Sequence, residues 1–201
     1  AFNEGTDVHK ATASMIYGVG IDEVTPEMRR TAKTINFGVI YGMGAFSLAK
    51  DLGISNTQGR IFIDKYYEQY SSIRKFMDDT ISKAESQKYL ETILGRRRYI
   101  SGIDSSNKMI KNAADRIAKN TPIQGSAADI VKLAMLSLDK KLRESGSPAR
   151  LLLQVHDELI LECPDDKATV DATISMVKDC MENAMKLSVP LKVSVEYGKN
   201  W

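Results

Sequence analysis

Two short apolar runs joined by a charged tripeptide place the strongest constraint on how this chain can fold. Residues 151–155 (LLLQV) and 159–161 (LIL) have the composition of β-strands, and only residues 156–158 lie between them. Apolar runs this close in sequence are typical of a β-hairpin. The sequence therefore predicts a hairpin in a chain whose other apolar patterns are mostly helical.

The residues at the predicted turn are not the usual ones. Tight turns favour Gly, Asn or Pro, whereas this connection is His156, Asp157 and Glu158. In one interpretation the charged side chains solvate a hairpin tip, and Asp tolerates the turn geometry. In the other, the hairpin presents an imidazole and two carboxylates for chemistry. For an isolated hairpin the first interpretation is the commoner one, so the rest of the sequence has to decide.

The first half of the chain is predicted to be helical. Thr25 and Pro26 give a helix start signal, with an N-cap Thr and a Pro at the first helical position. A hairpin is expected to turn near Gly95. A helix beginning near residue 106 is expected to break at Thr121–Pro122, because the residue before Pro avoids helical geometry. The expected helices are 8–17, 26–42, 55–70, 72–87, 106–120 and 124–144.

The second half changes character. After the hairpin at 151–161 we expect a helix over residues 165–186, and then a half-buried strand at 191–197, where apolar and polar residues alternate. Helices around an antiparallel sheet at the C-terminal end predict an α+β fold. The predicted domain boundary lies near residue 105, between a helical subdomain (1–105) and a sheet subdomain (106–201).

Composition excludes several classes of protein. The chain has 201 residues, of which 43% are hydrophobic and 27% charged, as in ordinary globular domains. No apolar run reaches membrane-spanning length and no secretory signal opens the chain, so we expect no membrane association. Two cysteines argue against a disulfide framework and fit a reducing cytoplasm. The start AFNEG lacks a Met and reads as the interior of an element, which predicts an excised fragment.

The net charge of +2 conceals an uneven distribution. Residues 88–119 carry eight basic side chains against three acidic ones, whereas residues 157–182 carry eight acidic side chains against two basic ones. A basic segment suits a polyanion and an acidic segment suits a cation. Two solvated surfaces would give the same composition, so charge alone leaves both interpretations open.

The predicted helix TPEMRRTAKTINFGVIYG has two stripes instead of one. Apolar residues recur on one side of the helical wheel and predict the buried face: Met28, Ala32, Ile35 and Val39. The opposite side carries two cations and then two aromatic residues, each four residues apart: Arg29, Lys33, Phe37 and Tyr41. Such a stripe suits a nucleoside triphosphate, with cations on phosphates and rings on sugar and base. Alternatively, the rings pack against a neighbouring helix while the cations are solvated.

Four stretches together resemble one family. RRTAKTINFGVIYG strongly resembles motif B of the family A DNA polymerases, in which Arg, Lys and Phe are spaced four apart and Gly, two residues and Tyr-Gly follow. QVHDE is similar to their motif C, and DVHKATA and NTPIQGSAADI also fit the bacterial members. The resemblance covers essentially the whole chain in the motif order of the family. It implies a partial right-hand polymerase, with fingers at 1–105 and most of the palm at 106–201.

The resemblance implies roles for individual residues. Arg29 and Lys33 would bind the triphosphate of the incoming nucleotide, as would His9, which taken alone is a surface or capping histidine. Phe37 would lie against the sugar and Tyr41 would stack near the templating position. The positions that would contact primer–template DNA are Arg116, Asn120, Gln124, Gln154 and His156. Arg96, Arg97 and Arg98 suit either the phosphate backbone or a solvated turn.

The same resemblance gives the charged turn a purpose. Nucleotidyl transfer uses two divalent cations, and Mg²⁺ prefers a few carboxylate oxygens plus substrate phosphates. Asp157 would be a metal ligand and Glu158 a weaker catalytic partner, with Lys33 as the third catalytic residue. The family's other metal-binding Asp belongs to motif A, and no such string occurs in this sequence. The Mg²⁺ site would therefore be completed by a carboxylate outside these residues, and the isolated chain is expected to be inactive.

The implied activity is template-directed DNA synthesis in replication or repair, with dNTPs and primer–template DNA as partners. We expect a monomer in the bacterial cytoplasm, associated with the nucleoid. Two alternatives remain at this point. A single-subunit RNA polymerase shares the architecture, although INFGVIYG and QVHDE favour the DNA enzyme. A catalytically inactive nucleic-acid-binding fragment is the other alternative, because motif A is missing.

Overall fold

The computed structural model describes residues 5–200, so residues 1–4, where the sequence reads as the interior of an element, lie outside the described part. The described chain contains seven α-helices: α1 Val8–Tyr17, α2 Pro26–Ile40, α3 Ala45–Leu52, α4 Asn56–Gln69, α5 Ser71–Gln87, α6 Lys108–Glu144 and α7 Lys167–Glu182. Its strands are β1 Tyr89–Glu91, β2 Arg97–Tyr99, β3 Arg150–Val155 and β4 Glu158–Glu162. A short 3₁₀ helix, Ile21–Glu23, lies between α1 and α2.

Both predicted hairpins are present. β1 pairs with β2, and β3 pairs with β4, each as a two-stranded antiparallel sheet. In the second hairpin Val155 lies opposite Glu158, and the register shifts between Leu151 and Leu153. Helices combined with small antiparallel sheets confirm the predicted α+β class.

Local capping explains where several helices begin. Asp7 caps α1, Thr25 caps α2 and Ser55 caps α4, each accepting a hydrogen bond from a backbone N–H of the first turn. Gly18 ends α1 with a φ of 70°, a left-handed conformation that costs glycine little. These starts agree with the sequence-based expectations within one or two residues.

The chain divides into two compact units, Ala1–Ile123 and Gln124–Trp201. In the first unit, one apolar cluster joins α1 to α4 and consists of Ile16, Ile35, Val39, Leu48 and Tyr66. A second cluster surrounds the β1–β2 hairpin: Ala84, Leu90, Ile100, Ile103, Ala114 and Ala118. The functional boundary near residue 105 stays a prediction.

The second unit has its own core. This core forms where α6 and α7 cover the β3–β4 hairpin. Its buried residues are Leu138, Leu142, Ala149, Val177 and Cys180. Both cysteines are free thiols, Cys180 buried and Cys163 half-buried. None of the helices in the described residues is long and apolar enough to cross a membrane.

Three sequence-based expectations are wrong. The helix predicted to break at Thr121–Pro122 is continuous from Lys108 to Glu144. Residues 191–197 form no strand in the described chain, although their burial alternates between half-buried and exposed. A strand requires a neighbouring strand to pair its backbone groups, and the described sheet here ends at β3 and β4. The sequence also failed to predict α3.

Candidate functional site

Helix α2 presents the two faces that its sequence predicts. Ala32, Ile35 and Val39 are at most 1% exposed and face the core. On the other side Phe37 is 44% exposed and Tyr41 is 40% exposed. The two rings are stacked, with centroids 6.3 Å apart and an interplanar angle of 20°. The alternative in which these rings are buried against a neighbouring helix is therefore wrong.

Arg29 is held by an acidic residue that the sequence analysis did not assign. Its Nε lies 2.7 Å from Oδ2 of Asp7, while Oδ1 of Asp7 accepts hydrogen bonds from the backbone of His9 and Lys10. The hydrogen bond from Arg29 lowers the pKa of Asp7 below its ordinary value. Asp7 thus both begins α1 and orients the guanidinium of Arg29 on α2.

His9 lies beside the aromatic part of the stripe. Its ring centroid is 5.7 Å from that of Phe37, and its Nδ1 is 2.9 Å from Nδ2 of Asn36. Burial lowers the pKa of His9, and the positive charges of Arg29 and Lys33 add to that effect. The imidazole is therefore neutral at neutral pH and is positioned against the same helix as the stripe.

Lys33 is exposed between Arg29 and Phe37 on α2. Among residues 5–200 no carboxylate pairs with its ammonium group, in contrast to Arg29. Cations, a neutral imidazole and stacked rings thus share one accessible face. Anionic oxygens can be bound at the Arg29 and Lys33 end, and a flat apolar group can pack at the Phe37 and Tyr41 end.

The turn between β3 and β4 displays the second set of predicted residues. His156 adopts a φ of 54°, in the left-handed region, and its carbonyl accepts a hydrogen bond from the side-chain amide of Gln154. The side chains of Asp157 and Glu158 are exposed. In the described residues no three His, Cys, Asp or Glu side chains come together as a metal site. The turn offers two adjacent carboxylates, oxygen donors of the kind that Mg²⁺ prefers.

Helix α6 carries Arg116, Asn120 and Gln124 at four-residue spacing, and its continuity keeps this spacing regular. Arg116 and Gln124 are exposed. The side-chain oxygen Oδ1 of Asn120 is buried and finds no hydrogen-bond partner among the described residues. The broken geometry expected at Pro122 does not occur on this helix.

The arginines of the β1–β2 hairpin are exposed but not equivalent. Arg97 donates to Glu91 across the hairpin at 3.0 Å and covers the ring of Tyr89, 4.6 Å from its centroid. Arg97 therefore contacts the opposite strand of the hairpin, whereas Arg98 lies at an exposed position of β2.

Sequence reasoning missed four residues that complete the surroundings of His9 and Arg29. Asp7, Thr12 and Asn36 lie within the motif stretches, and Tyr70 lies between α4 and α5. The position of Asp7 before a helical stretch was a usable signal, since Asp is a favoured N-cap. Asn36 and Tyr70 give no such signal, because their contacts join helices that are distant in sequence.

Comparison with known proteins identifies the family of this chain. Residues 1–201 match the sequence model of the family described as DNA polymerase family A. The chain therefore belongs to this family. It is 45% identical over 201 residues to "DNA polymerase I" of Caldicellulosiruptor bescii and 46% identical to "DNA polymerase I" of Bacillus caldotenax. In each case the match covers 100% of this chain and 23% of the relative.

A solved structure is similar over the whole chain. It is described as the POL domain of Pol1 from M. smegmatis in complex with DNA primer-template and dNTP. The TM-score is 0.93 with 43% sequence identity, and the match covers 100% of this chain and 35% of that chain. This chain therefore spans about a quarter of the curated relatives and about a third of the solved polymerase chain.

Proposed function

We propose that this chain supplies the fingers and most of the palm of a template-directed DNA polymerase, which transfers deoxynucleotides from dNTPs to a primer 3′-hydroxyl. The observation that carries the proposal is the exposed stripe on α2, where cations and stacked rings share one face next to His9. Membership of DNA polymerase family A supports the same activity.

In this proposal the stripe binds the incoming dNTP. Arg29 and Lys33 donate charge-assisted hydrogen bonds to phosphate oxygens. Asp7 restrains Arg29, so less side-chain freedom is lost when the nucleotide binds. The ring of Phe37 packs against the sugar, and Tyr41 continues the stack toward the templating base.

Primer–template DNA is the proposed second partner. Arg116, Asn120 and Gln124 on α6 would contact the duplex, together with Gln154 and His156 of the hairpin. Such contacts are largely independent of sequence, as a polymerase that copies any template requires. The unpaired oxygen of Asn120 is consistent with a donor supplied by a bound partner.

Mg²⁺ is the proposed cofactor, with Asp157 as its ligand and Glu158 in support. Two bound divalent cations lower the pKa of a hydroxyl nucleophile and stabilise charge on the leaving pyrophosphate. The two exposed carboxylates fit this ion, and we propose that a further carboxylate outside residues 1–201 completes the site. The division into fingers at 1–105 and palm at 106–201, the monomeric state and the bacterial cytoplasm near the nucleoid belong to the same proposal.

The test is primer extension by the full-length protein that contains residues 1–201. We expect dNTP-dependent, template-directed extension in Mg²⁺ that Asp157→Ala abolishes. Asp171→Ala, which removes an exposed carboxylate of α7 in the same unit, is the matched control and should retain activity. Absence of extension by the unmodified protein contradicts the proposal. Equal use of ribonucleotides would favour a single-subunit RNA polymerase, which the family match does not favour.

A further inference from the structure

A chain of buried and half-buried polar side chains connects Tyr70 with His9 inside the first unit. The hydroxyl of Tyr70 lies 3.2 Å from Oγ1 of Thr12. Oγ1 of Thr12 lies 3.1 Å from Oδ1 of Asn36 and 2.8 Å from the carbonyl oxygen of Val8, and its single proton can be donated to either. Nδ2 of Asn36 then lies 2.9 Å from Nδ1 of His9. Thr12 is 0% exposed and Asn36 is 7% exposed. The polar chain therefore runs through the packed interface of α1 and α2.

Burying these groups is costly unless each finds a hydrogen-bond partner. A Leu at position 36 would extend the apolar core of α2 without that cost. The side-chain amide of Asn36 instead joins Thr12 to Nδ1 of His9. A polar side chain in hydrogen-bond contact with one nitrogen of an imidazole restricts the orientation of the ring, and Asn36 makes this contact with His9.

The direction of this contact sets the proton on the ring. The amide of Asn36 is oriented with Oδ1 toward Thr12 and Nδ2 toward the ring, and in this orientation Nδ1 of His9 accepts and the neutral imidazole carries its proton on Nε2. Arg29 and Lys33 oppose a second proton on the ring, whereas Asp7 favours it. Tyr70 is the remaining titratable group of this polar chain and contacts His9 only through Thr12 and Asn36.

From this geometry we infer that Asn36 is a positioning residue, which orients the imidazole of His9 and keeps its single proton on Nε2. His9 then offers a neutral N–H donor to a phosphate oxygen of the nucleotide. This identification of the acceptor rests on the proposed function, whereas the orientation and the tautomer do not. Arg29 and Lys33 supply the positive charge, and His9 supplies a directional donor that needs no proton uptake.

Imidazole ¹⁵N NMR of the 201-residue chain tests the tautomer directly. The sequence contains two histidines, so His156 serves as an internal reference. In the unmodified chain we expect the Nε2–H tautomer at His9 and a His9 pKa below the ordinary value of a histidine. A proton found on Nδ1 of His9 overturns the inference without any variant.

Substitution of Asn36 tests whether the tautomer of His9 depends on this residue. In Asn36→Ala the ring should lose its tautomer preference, while the exposed control Asn56→Ala should leave the His9 spectrum unchanged. Asn36→Asp is the isosteric second variant: its carboxylate should draw a proton to Nδ1 and raise the pKa of His9. If His9 keeps its tautomer and pKa in both variants, the inference is wrong.

Titration with a dNTP separates this inference from the proposed function. Loss of one hydrogen-bond donor at a phosphate should weaken dNTP binding by about 3- to 10-fold in Asn36→Ala. If no dNTP binds to the unmodified chain, the proposed nucleotide site fails but the NMR result for Asn36 still stands. If dNTP binding is identical with and without Asn36, its positioning role toward a nucleotide is excluded.

Discussion

A histidine in the left-handed region of backbone conformations opens the turn between β3 and β4. Side chains with a Cβ pay an energetic cost there, and strain of this kind is concentrated at functional sites. His156 has a φ of 54°, in a hairpin whose turn a glycine would accommodate without strain. We therefore infer a functional reason for His156 at this position, in agreement with its proposed place beside a primer terminus.

We predict that His156→Gly raises the free energy of unfolding by about 1 kcal/mol while lowering primer extension by the full-length protein. Urea unfolding of the 201-residue chain measures the first effect. Asp157→Gly is the matched control, because Asp157 does not have a positive φ and gains nothing from glycine. A loss of stability in His156→Gly would show that its backbone is not strained.

Lys33 is predicted to act through its charge on the triphosphate. In the full-length protein Lys33→Ala should lower the efficiency of dNTP use by roughly 30- to 1000-fold, the equivalent of about 2–4 kcal/mol for a charge-assisted contact in a closed site. Steady-state incorporation kinetics measure this value. Arg30→Ala removes an exposed cation of the same helix and should change the efficiency little. Kinetics of Lys33→Ala equal to those of the unmodified protein would contradict the assignment.

Phe37 is predicted to determine how strongly the polymerase discriminates between deoxynucleotides and dideoxynucleotides. An apolar ring offers no hydrogen bond in place of a missing 3′-hydroxyl, whereas a Tyr hydroxyl can occupy that position. Phe37→Tyr should therefore raise the use of dideoxynucleotides relative to deoxynucleotides. A chain-termination assay measures this ratio, and an unchanged ratio would mean that Phe37 does not face the sugar.

At the scale of elements, α6 differs most from what its sequence indicates. Pro122 lies inside this helix and offers no N–H to the carbonyl of Ala118, which weakens the helix there. The buried Thr121 donates its hydroxyl to the carbonyl of Ile117 at 2.7 Å, which leaves the carbonyl of Ala118 without the backbone donor that Pro122 lacks. Ala114 and Ala118 are buried on the same helix, so packing outweighs the local preference of proline.

Pro122→Ala is accordingly predicted to raise the free energy of unfolding by about 1–3 kcal/mol, because a missing helical hydrogen bond is restored. Urea denaturation of the 201-residue chain provides the measurement. Pro148→Ala, in the exposed bend before β3, is the control and should give no gain. Destabilisation by Pro122→Ala would show that the ring of Pro122 packs more favourably than an added hydrogen bond.

At the scale of the whole molecule, the chain spans about a quarter of its curated relatives, and it carries the proposed nucleotide stripe and the carboxylate turn on different compact units. Mg²⁺ gives up water reluctantly and needs several well-placed oxygens. Asp157 and Glu158 offer only part of such a set. Catalysis therefore depends, in this proposal, on residues beyond these 201.

A polypeptide of residues 1–201 alone is predicted to fold and to bind primer–template DNA weakly, with an affinity that falls steeply with salt. It should extend a primer at no measurable rate in Mg²⁺. Joining it to an upstream segment that contains motif A should restore extension, and Asp157→Ala should abolish it again. Robust extension by residues 1–201, purified free of contaminating polymerase, would refute the requirement for a carboxylate outside this chain.

Features that depend on residues close together in the chain could be predicted from the sequence. The two stripes of α2 follow from the 3.6-residue period, and the starts of α1, α2 and α4 follow from their caps. The β3–β4 hairpin follows from two apolar runs with a short connection. Each of these is a local property, so a linear sequence is sufficient to predict it.

Three-dimensional packing sets which side chains from distant parts of the sequence come into contact. Asp7 contacts Arg29 from 22 residues away, Asn36 contacts His9 from 27 residues away, and Tyr70 contacts Thr12 from 58 residues away. It also decided that α6 continues through Pro122 and that residues 191–197 form no strand within the described chain. These outcomes depend on packing and on available hydrogen-bond partners, which no periodicity records, because a buried polar group or an extended segment is stable only where the fold supplies its partner.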